Sequence, residues 1–233
     1  MKKLFTLAAI VALAMPAMAQ DIMVVNTKDG QSVKYSIDNI KEIVFEDSQD
    51  VPDERAIDLG LPSGTLWASM NIGSTTEAGT GLYLSWGETA EKVSYDEDSY
   101  SYEDMIMTSF AGTECDPATV LWGSRWTTPT KEQWDELIAN TIMQKSNMNG
   151  VDGLKIRSKT STNFIFLPYC GQMIDSSLSD AGYGWYWAST QGSWNGSTNV
   201  GDYFFSAGTS NRMSTTNKRV GQQVRPVQVP KKK

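Results

Sequence analysis

Residues 122–137 carry the strongest local folding signal in the chain, because they join a tryptophan-rich turn to a helix start. Thr130 can accept a hydrogen bond from the backbone N–H three residues later, while Gln133 reaches back to the N–H of Thr130, which is the pattern of a capping box. Trp134 and the apolar residues one turn later then share one face of the helix. The segment therefore predicts an amphipathic helix docked on a core, with Trp126 and Trp134 as structural residues.

The N-terminus has the zones of a secretory signal peptide. Lys2 and Lys3 are followed by an uncharged apolar run and by the small residues Ala17 and Ala19. We expect residues 1–19 to be a signal peptide that is cleaved after Ala19. The chain is then exported, to the periplasm, the cell surface or beyond, and no other apolar segment is long enough to span a bilayer as a helix.

Charge and aromatic content limit the function classes. The chain has 27 acidic and 20 basic residues, a formal net charge of −7. Such acidity argues against nucleic acid and anionic membranes as partners. With 8 Trp, 9 Tyr and 7 Phe the chain can bury a core, so we expect one main domain with a small appendage.

Turn residues and changes in composition divide the chain. Residues 20–46 begin with two β-prone runs around a turn and predict a small β-hairpin module. Residues 47–55 are acidic and contain Pro52, which predicts a linker. The main domain is expected over residues 56–229 and a frayed tail over residues 230–233.

Within the main domain the pattern is of class α+β, with short strands, two helices and long loops. Asp116 followed by Pro117 predicts the start of a first short helix, and the second helix runs from Thr130 to about Asn140. Residues 90–112 are predicted to be a long surface loop. The main predicted strands cover residues 82–86, 154–157, 163–167, 182–190, 203–206 and 223–229.

The two cysteines, Cys115 and Cys170, leave two readings open. In an oxidising compartment they could form a disulfide. They could equally be two separate buried thiols, since free Cys is among the most buried residue types.

The chain contains no histidine, which removes the Ser-His-Asp and Cys-His mechanisms and His-based zinc sites. Paired carboxylates are the remaining ordinary catalytic option, with candidates at Glu88, at Asp135 with Glu136, and at Asp175 with Asp180. For Glu88 we favour a structural ion pair with Arg225 or Arg219, because buried charges are usually kept by a partner.

Calcium is the one metal that the acidic loops suggest. Residues 96–98 and 175–180 contain clusters of carboxylates, which calcium prefers as ligands. Neither cluster has EF-hand spacing or the triplets of calcium-dependent lectins, so we expect solvated loops and no cofactor.

Aromatic side chains are the best candidates for ligand binding. Among the rings clustered near residue 185, we expect most to fill the core, and Trp185 and Trp194 to be exposed because glycines flank them. The Ser- and Asn-rich residues 192–199 predict an adaptable binding loop or a mobile one. The predicted ligand-binding residues are Tyr100, Tyr102, Trp185, Trp194, Asn195 and Asn199.

Seven motifs in unbroken order between residues 56 and 229 resemble one known family. They are Asp58-Leu59-Gly60-Leu61-Pro62-Ser63-Gly64, Asn71-Ile72-Gly73, Trp86-Gly87-Glu88, Pro129-Thr130 with Gln133-Trp134-Asp135-Glu136-Leu137, Phe166-Leu167-Pro168, Tyr186-Trp187-Ala188-Ser189 and Val224-Arg225-Pro226-Val227. Together they resemble the Fibrobacter succinogenes major paralogous domain of secreted and surface proteins. The resemblance implies a C-type-lectin-like fold.

Three functional hypotheses follow. The first is a secreted or surface-exposed, non-enzymatic module that binds a glycan or an extracellular protein through the loops near residues 95–102 and 183–199. The second is a structural component of an extracellular assembly, in which the hairpin module docks to a partner. The third is a carboxylate-dependent hydrolase.

Overall fold

The computed structural model describes residues 22–26, 30–37, 53–102, 107–208 and 210–228. The predicted signal peptide, most of the predicted linker and the predicted tail lie outside these ranges. The chain forms two compact units, Met1–Asp50 and Val51–Lys233, and the division between them falls inside the predicted linker.

The first unit contains the predicted hairpin. Strand β1 (Ile22–Asn26) pairs antiparallel with β2 (Ser32–Ser36), with Ile22 opposite Ser36 and Asn26 opposite Ser32. The hairpin predicted from two β-prone runs around a turn is confirmed. The rest of the predicted module, residues 38–46, lies outside the described residues.

The second unit is mostly β-structure with two short helices, which is compatible with the predicted α+β class. Its elements are β3 (Ala56–Asp58), β4 (Leu66–Ala68), α1 (Pro117–Trp122), α2 (Lys131–Asn140), β5 (Thr141–Met148), β6 (Val151–Ser158), β7 (Phe164–Pro168), β8 (Gln172–Ile174), β9 (Ser177–Ser179), β10 (Gly184–Gln191), β11 (Val200–Ala207), β12 (Ser210–Asn217) and β13 (Val227–Gln228).

All named strand pairs in this unit are antiparallel. Three sheets have three strands each, in the orders β3-β4-β13, β5-β6-β7 and β10-β11-β12, and β8 pairs with β9. Val227 of β13 lies opposite Trp67 of β4. The beginning and the end of the main domain therefore meet in one sheet.

Both helices begin where the capping residues predicted. The Asp116 side chain accepts from the backbone N–H of Ala118 and caps α1. At α2 the Thr130 side chain accepts from the N–H of Gln133, and the Gln133 side chain accepts from the N–H of Thr130, so the capping box is complete. Trp134 and Leu137 are buried on the inner face of α2.

Two apolar clusters build the core. In the first, Trp134 stacks on Phe204 of β11, with ring centroids 4.5 Å apart and the planes 2° from parallel. In the second, Trp86 packs edge-on against Phe110 at 4.8 Å. The sheet β10-β11-β12 contributes side chains to both clusters and so links them.

The fold begins earlier than the sequence indicates. Asp53, in the predicted linker, accepts from the indole N–H of Trp126 at 2.9 Å and forms an ion pair with Arg55. Arg55 in turn lies over the ring of Trp122, 4.2 Å from its centroid. The hydrogen bond from Arg55 is the largest cause that lowers the pKa of Asp53 to about 2. Residues 53–55 therefore belong to the main unit.

Several strand predictions were wrong. Residues 82–86 form no named strand, since only Leu84 makes a bridge, to Gln222. The predicted last strand is reduced to β13, and β5, β8, β9 and β12 were not predicted. Of these, β5 and β12 pair with β6 and β11, whose apolar residues lie in the core, which illustrates how strongly strand formation depends on context.

Candidate functional site

The turn between β10 and β11 presents the most exposed aromatic side chain among the described residues. The backbone N–H of Trp194 donates to the carbonyl of Ser197 at 3.0 Å, and the N–H of Ser197 donates back at 2.8 Å. Between them Asn195 and Gly196 have φ values of 49° and 82°, as in a type I′ hairpin turn. The Trp194 side chain is 64% exposed.

This turn gives a defined shape to the segment that we expected to be an adaptable or mobile binding loop. Residues 192–199 form the tight end of a hairpin, because the N–H of Gly192 also bonds to the carbonyl of Val200 at 2.9 Å. Asn195 is exposed at the tip, and Asn199 is half-buried further down the hairpin. The dipeptide Asn195-Gly196 is the strongest short hairpin signal in a sequence, and it could have predicted this geometry.

Trp185 does not join Trp194 in one site. It lies near the start of β10, six residues before Gln191 at the end of that strand, a span of about 20 Å. Its ring is half-buried and stacks on Tyr203 at 5.2 Å. Of the two tryptophans that we expected to be exposed, Trp194 is exposed, as predicted, whereas the prediction for Trp185 is wrong because its ring is half-buried.

In the predicted binding loop near residues 95–102, neither Tyr100 nor Tyr102 is freely exposed. Tyr100 is 8% exposed, and its hydroxyl donates to the carbonyl of Trp86 at 2.8 Å, so it is a structural residue. Tyr102 is half-buried, and burial, more than the neighbouring Cys115, raises the pKa of its hydroxyl. The ammonium of Lys92 lies over the Tyr100 ring, 5.4 Å from its centroid, so this ring contacts the protein's own lysine.

A cavity of about 230 Å³ lies beside Tyr102 and is lined by Glu88, Glu91 and Lys92. Contrary to our expectation, Glu88 pairs with neither Arg225 nor Arg219. Its carboxylate lies 2.9 Å from the Lys92 ammonium and accepts from the backbone N–H of Ser101 at 3.0 Å. A partner four residues away was available locally, so the carboxylate needs no distant arginine.

Arg225 is structural, as predicted, but its partners are uncharged. It is fully buried and donates to Asn71 Oδ1, to the carbonyl of Ala68 and to the carbonyl of Phe166, at 2.7–3.1 Å. Burial lowers the pKa of Arg225 to about 10. The guanidinium thus links its own segment to residues 68–71 and to Phe166 of β7.

The two acidic loops that suggested calcium meet across an open cavity of about 330 Å³. Tyr95 and Asp175 form a bridge there, and Glu97 forms an ion pair with Arg219. Within the described ranges no group of three or more His, Cys, Asp or Glu residues could hold a metal ion. An arginine thus already neutralises one of the acids at this cavity.

The remaining carboxylate candidates also have partners in the fold. Glu136 accepts from the backbone N–H and the hydroxyl of Ser63, at 2.8 and 2.6 Å. Asp135 forms an ion pair with Lys131 on the solvent side of α2. The two carboxylates are engaged in separate contacts, so they do not converge as an acid and base pair.

Cys115 and Cys170 are both buried free thiols. Of the two readings left open, the structure has the separate thiols and no disulfide. Burial raises the pKa of Cys170, so this thiol is not activated as a nucleophile.

Only part of a second aromatic surface was identified from the sequence. Tyr183 was among the aromatic residues noted in the sequence, but Phe205 and Arg212 were not considered as site residues. They join it because β11 pairs with β12 so that Phe205 lies opposite Arg212. Strand β12 gave no sequence signal, so this juxtaposition could not be predicted.

No family model matches this chain, and no match was found among the curated proteins or the solved structures. Within the described part of the chain, no helix has both the length and the apolar character needed to cross a membrane.

Proposed function

We propose that this chain is an exported, non-enzymatic binding module with a C-type-lectin-like fold, of the kind seen in the Fibrobacter succinogenes major paralogous domain, and that it holds an extracellular protein through Trp194. The observation that carries the proposal is a tryptophan with 64% exposure on a tightly hydrogen-bonded hairpin tip.

The surroundings of Trp194 suit a protein partner. Tryptophan is enriched among the residues that dominate binding energy at interfaces. A rigid tip loses little conformational entropy on binding. The neighbours are Ser193, Asn195 and Ser197, small polar residues that provide adaptable hydrogen bonds around an aromatic anchor, as in antibody binding loops. A projecting ring fits a pocket on a protein, whereas a sugar needs a shelf to lie on.

The test is binding of the chain to an array of extracellular proteins, with a glycan array in parallel. We expect protein binding that falls at least 30-fold in Trp194→Ala, a loss of about 2 kcal/mol. Trp194→Phe should retain part of the affinity. The matched control is Leu178→Ala, which removes another exposed apolar side chain (52% exposed) from β9.

The melting temperature should stay unchanged in all three variants, because neither exposed side chain supports the core. Protein binding that survives Trp194→Ala would contradict the proposal. Glycan binding that Trp194→Ala abolishes would assign the tip to a carbohydrate ligand instead.

A second candidate is a role in extracellular assembly through the hairpin unit. The register places Val25, Val33 and Tyr35 on one face of β1 and β2, and these side chains are 41%, 41% and 47% exposed. Exposed apolar faces mark interaction sites. Deletion of residues 20–50 should abolish association with the assembly and leave the main unit folded, as monitored by tryptophan fluorescence.

The third hypothesis, a carboxylate-dependent hydrolase, has less support. In the cavity beside Tyr102, Glu88 is bonded to Lys92 and Ser101, and Glu91 accepts from the backbone N–H of Tyr83 at 2.8 Å. Hydrolysis of a glycoside needs one carboxyl group to give up a proton and the other to act on water or the sugar. Glu88→Gln would test this, since loss of turnover in a folded variant would favour an enzyme.

A further inference from the structure

Four aromatic rings form a continuous row on one face of β10 and β11, which we call the aromatic row. Tyr183 packs against Phe205 with ring centroids 5.8 Å apart, Phe205 packs against Trp185 at 4.7 Å, and Trp185 stacks on Tyr203 at 5.2 Å. The rings come from residues that alternate along each strand, so they point to the same side of the sheet.

The row is buried at one end and open at the other. Tyr203 is 7% exposed and belongs to the core, Trp185 and Phe205 are half-buried, and Tyr183 is 43% exposed. The core end fixes the position of the outer rings. The open end is therefore a rigid aromatic shelf rather than a single flexible ring.

Arg212 lies at the edge of this shelf. Its guanidinium lies 5.1 Å from the centroid of Phe205, and Nη1 donates to the Ser210 hydroxyl at 3.1 Å. The side chain is exposed, and among the described residues Arg212 has no carboxylate within ion-pair distance. By contrast, Arg219 and Arg55 each have an acidic partner.

The aromatic shelf and Arg212 are suited to binding different parts of one ligand. Aromatic shelves offer flat apolar surface on which the face of a sugar ring can lie. A guanidinium held in place by stacking and by a hydrogen bond is suited to binding a carboxylate through two parallel hydrogen bonds. A neutral sugar would leave Arg212 unused, and a small carboxylate would leave the shelf unused.

We propose that the aromatic row and Arg212 bind an acidic glycan, with a hexuronate ring lying on Tyr183 and its carboxylate paired with Arg212. This site is separate from the proposed protein anchor, because Trp194 lies beyond the opposite end of β10. Since the chain as a whole is acidic, with a formal net charge of −7, binding depends on the local guanidinium and not on a general attraction for polyanions.

The test is isothermal titration of the full chain with tetrasaccharides of galacturonate, glucuronate and mannuronate. The decisive comparison is each tetrasaccharide with its methyl ester, which keeps the sugar rings and removes the charge. We expect at least one acid form to bind, and its ester to bind at least tenfold more weakly. The monosaccharide of the same acid should also bind at least tenfold more weakly, because it covers less of the shelf.

Two variants test the roles of the residues. Arg212→Gln should weaken binding of the acid form at least tenfold and leave the affinity for the ester unchanged. Tyr183→Ala should weaken both forms. The matched control is Arg157→Gln, which removes the same charge from an exposed strand position on the sheet β5-β6-β7 and should change neither affinity.

The proposal is overturned if none of the three uronates binds, if acid and ester bind equally, or if Arg157→Gln weakens binding as much as Arg212→Gln. Trp194→Ala should leave uronate binding unchanged. This result separates the glycan site from the protein anchor, so that either proposal can fail without the other.

Discussion

Asp116 is a buried carboxylate whose partners are hydrogen-bond donors of the main unit. One oxygen accepts from the backbone N–H of Ala118 at 3.0 Å and from the Thr128 hydroxyl at 2.7 Å. The other accepts from the N–H of Gly112 at 2.8 Å and from the Thr119 hydroxyl at 3.1 Å, and the N–H of Thr128 is shared by both oxygens at 3.1 Å. Asp116 thus joins the start of α1 to the turn that leads into α2.

The variant Asp116→Asn keeps this shape and exchanges one acceptor for a donor. The amide oxygen can replace the first carboxylate oxygen, but the amide nitrogen then faces the N–H of Gly112. A buried donor without an acceptor costs about 1–3 kcal/mol. Removal of a buried charge offsets part of this cost, and the Thr119 hydroxyl can turn to the carbonyl of Trp126 at 2.8 Å.

We expect Asp116→Asn to lower the free energy of unfolding by about 2 kcal/mol. Asp116→Ala should lower it by about 4 kcal/mol, because three backbone N–H groups lose their acceptor and α1 loses its cap. The measurement is urea unfolding followed by tryptophan fluorescence. The slope of the free energy of unfolding against urea concentration should be the same in all variants. Asp135→Asn, at an exposed ion pair, is the matched control and should change stability by less than about 0.5 kcal/mol.

The outcome that would refute this reasoning is an Asp116→Asn variant as stable as the parent chain. The desolvation of the charge would then outweigh its five donors. An Asp116→Ala variant less affected than Asp116→Asn would point instead to water entering the vacated space.

Two further predictions concern buried groups. Burial lowers the pKa of Lys218 from 10.5 to about 8, so between these values this lysine binds more protons in the unfolded state, and its contribution to stability rises with pH. The buried Cys170 thiol, whose pKa is raised, acts in the opposite direction in the parent chain and in Lys218→Met alike. In urea titrations the stability of the parent chain relative to Lys218→Met should therefore rise from about pH 8 to 9.5, and a difference that does not change with pH would contradict this. Cys115 and Cys170 should give two reactive thiols per chain with Ellman's reagent in urea and almost none when folded, whereas no thiol in urea would mean a disulfide.

Local chemistry explains which parts of this fold could be predicted. The caps of α1 and α2 depend on side chains within three residues of the helix start, so Asp116 and the pair Thr130 and Gln133 were sufficient. The hairpin β1-β2 was equally local.

Long-range pairing explains what could not be predicted. Strand β12 is polar, and nothing in its own residues indicates that Arg212 will lie opposite Phe205. The partners of Arg225 come from two segments, residues 68–71 and Phe166, and two of the three accepting oxygens are backbone carbonyls, which no motif records. A carboxylate was expected there because a charged partner is the commonest solution for a buried guanidinium. In the structure, three neutral oxygens accept hydrogen bonds from the Arg225 guanidinium instead.

The tryptophans show how the fold and the function can be separated. Trp134 is fully buried, stacks on Phe204 and donates to the carbonyl of Trp187 at 3.3 Å, so packing alone accounts for it. Trp194 has no such role, because the hairpin turn depends on the backbone of Asn195 and Gly196 and on main-chain bonds to Ser197. A small side chain at position 194 would allow the same turn. Packing of the described residues gives no reason for an exposed indole at this tip, and this is why we propose contact with a partner there.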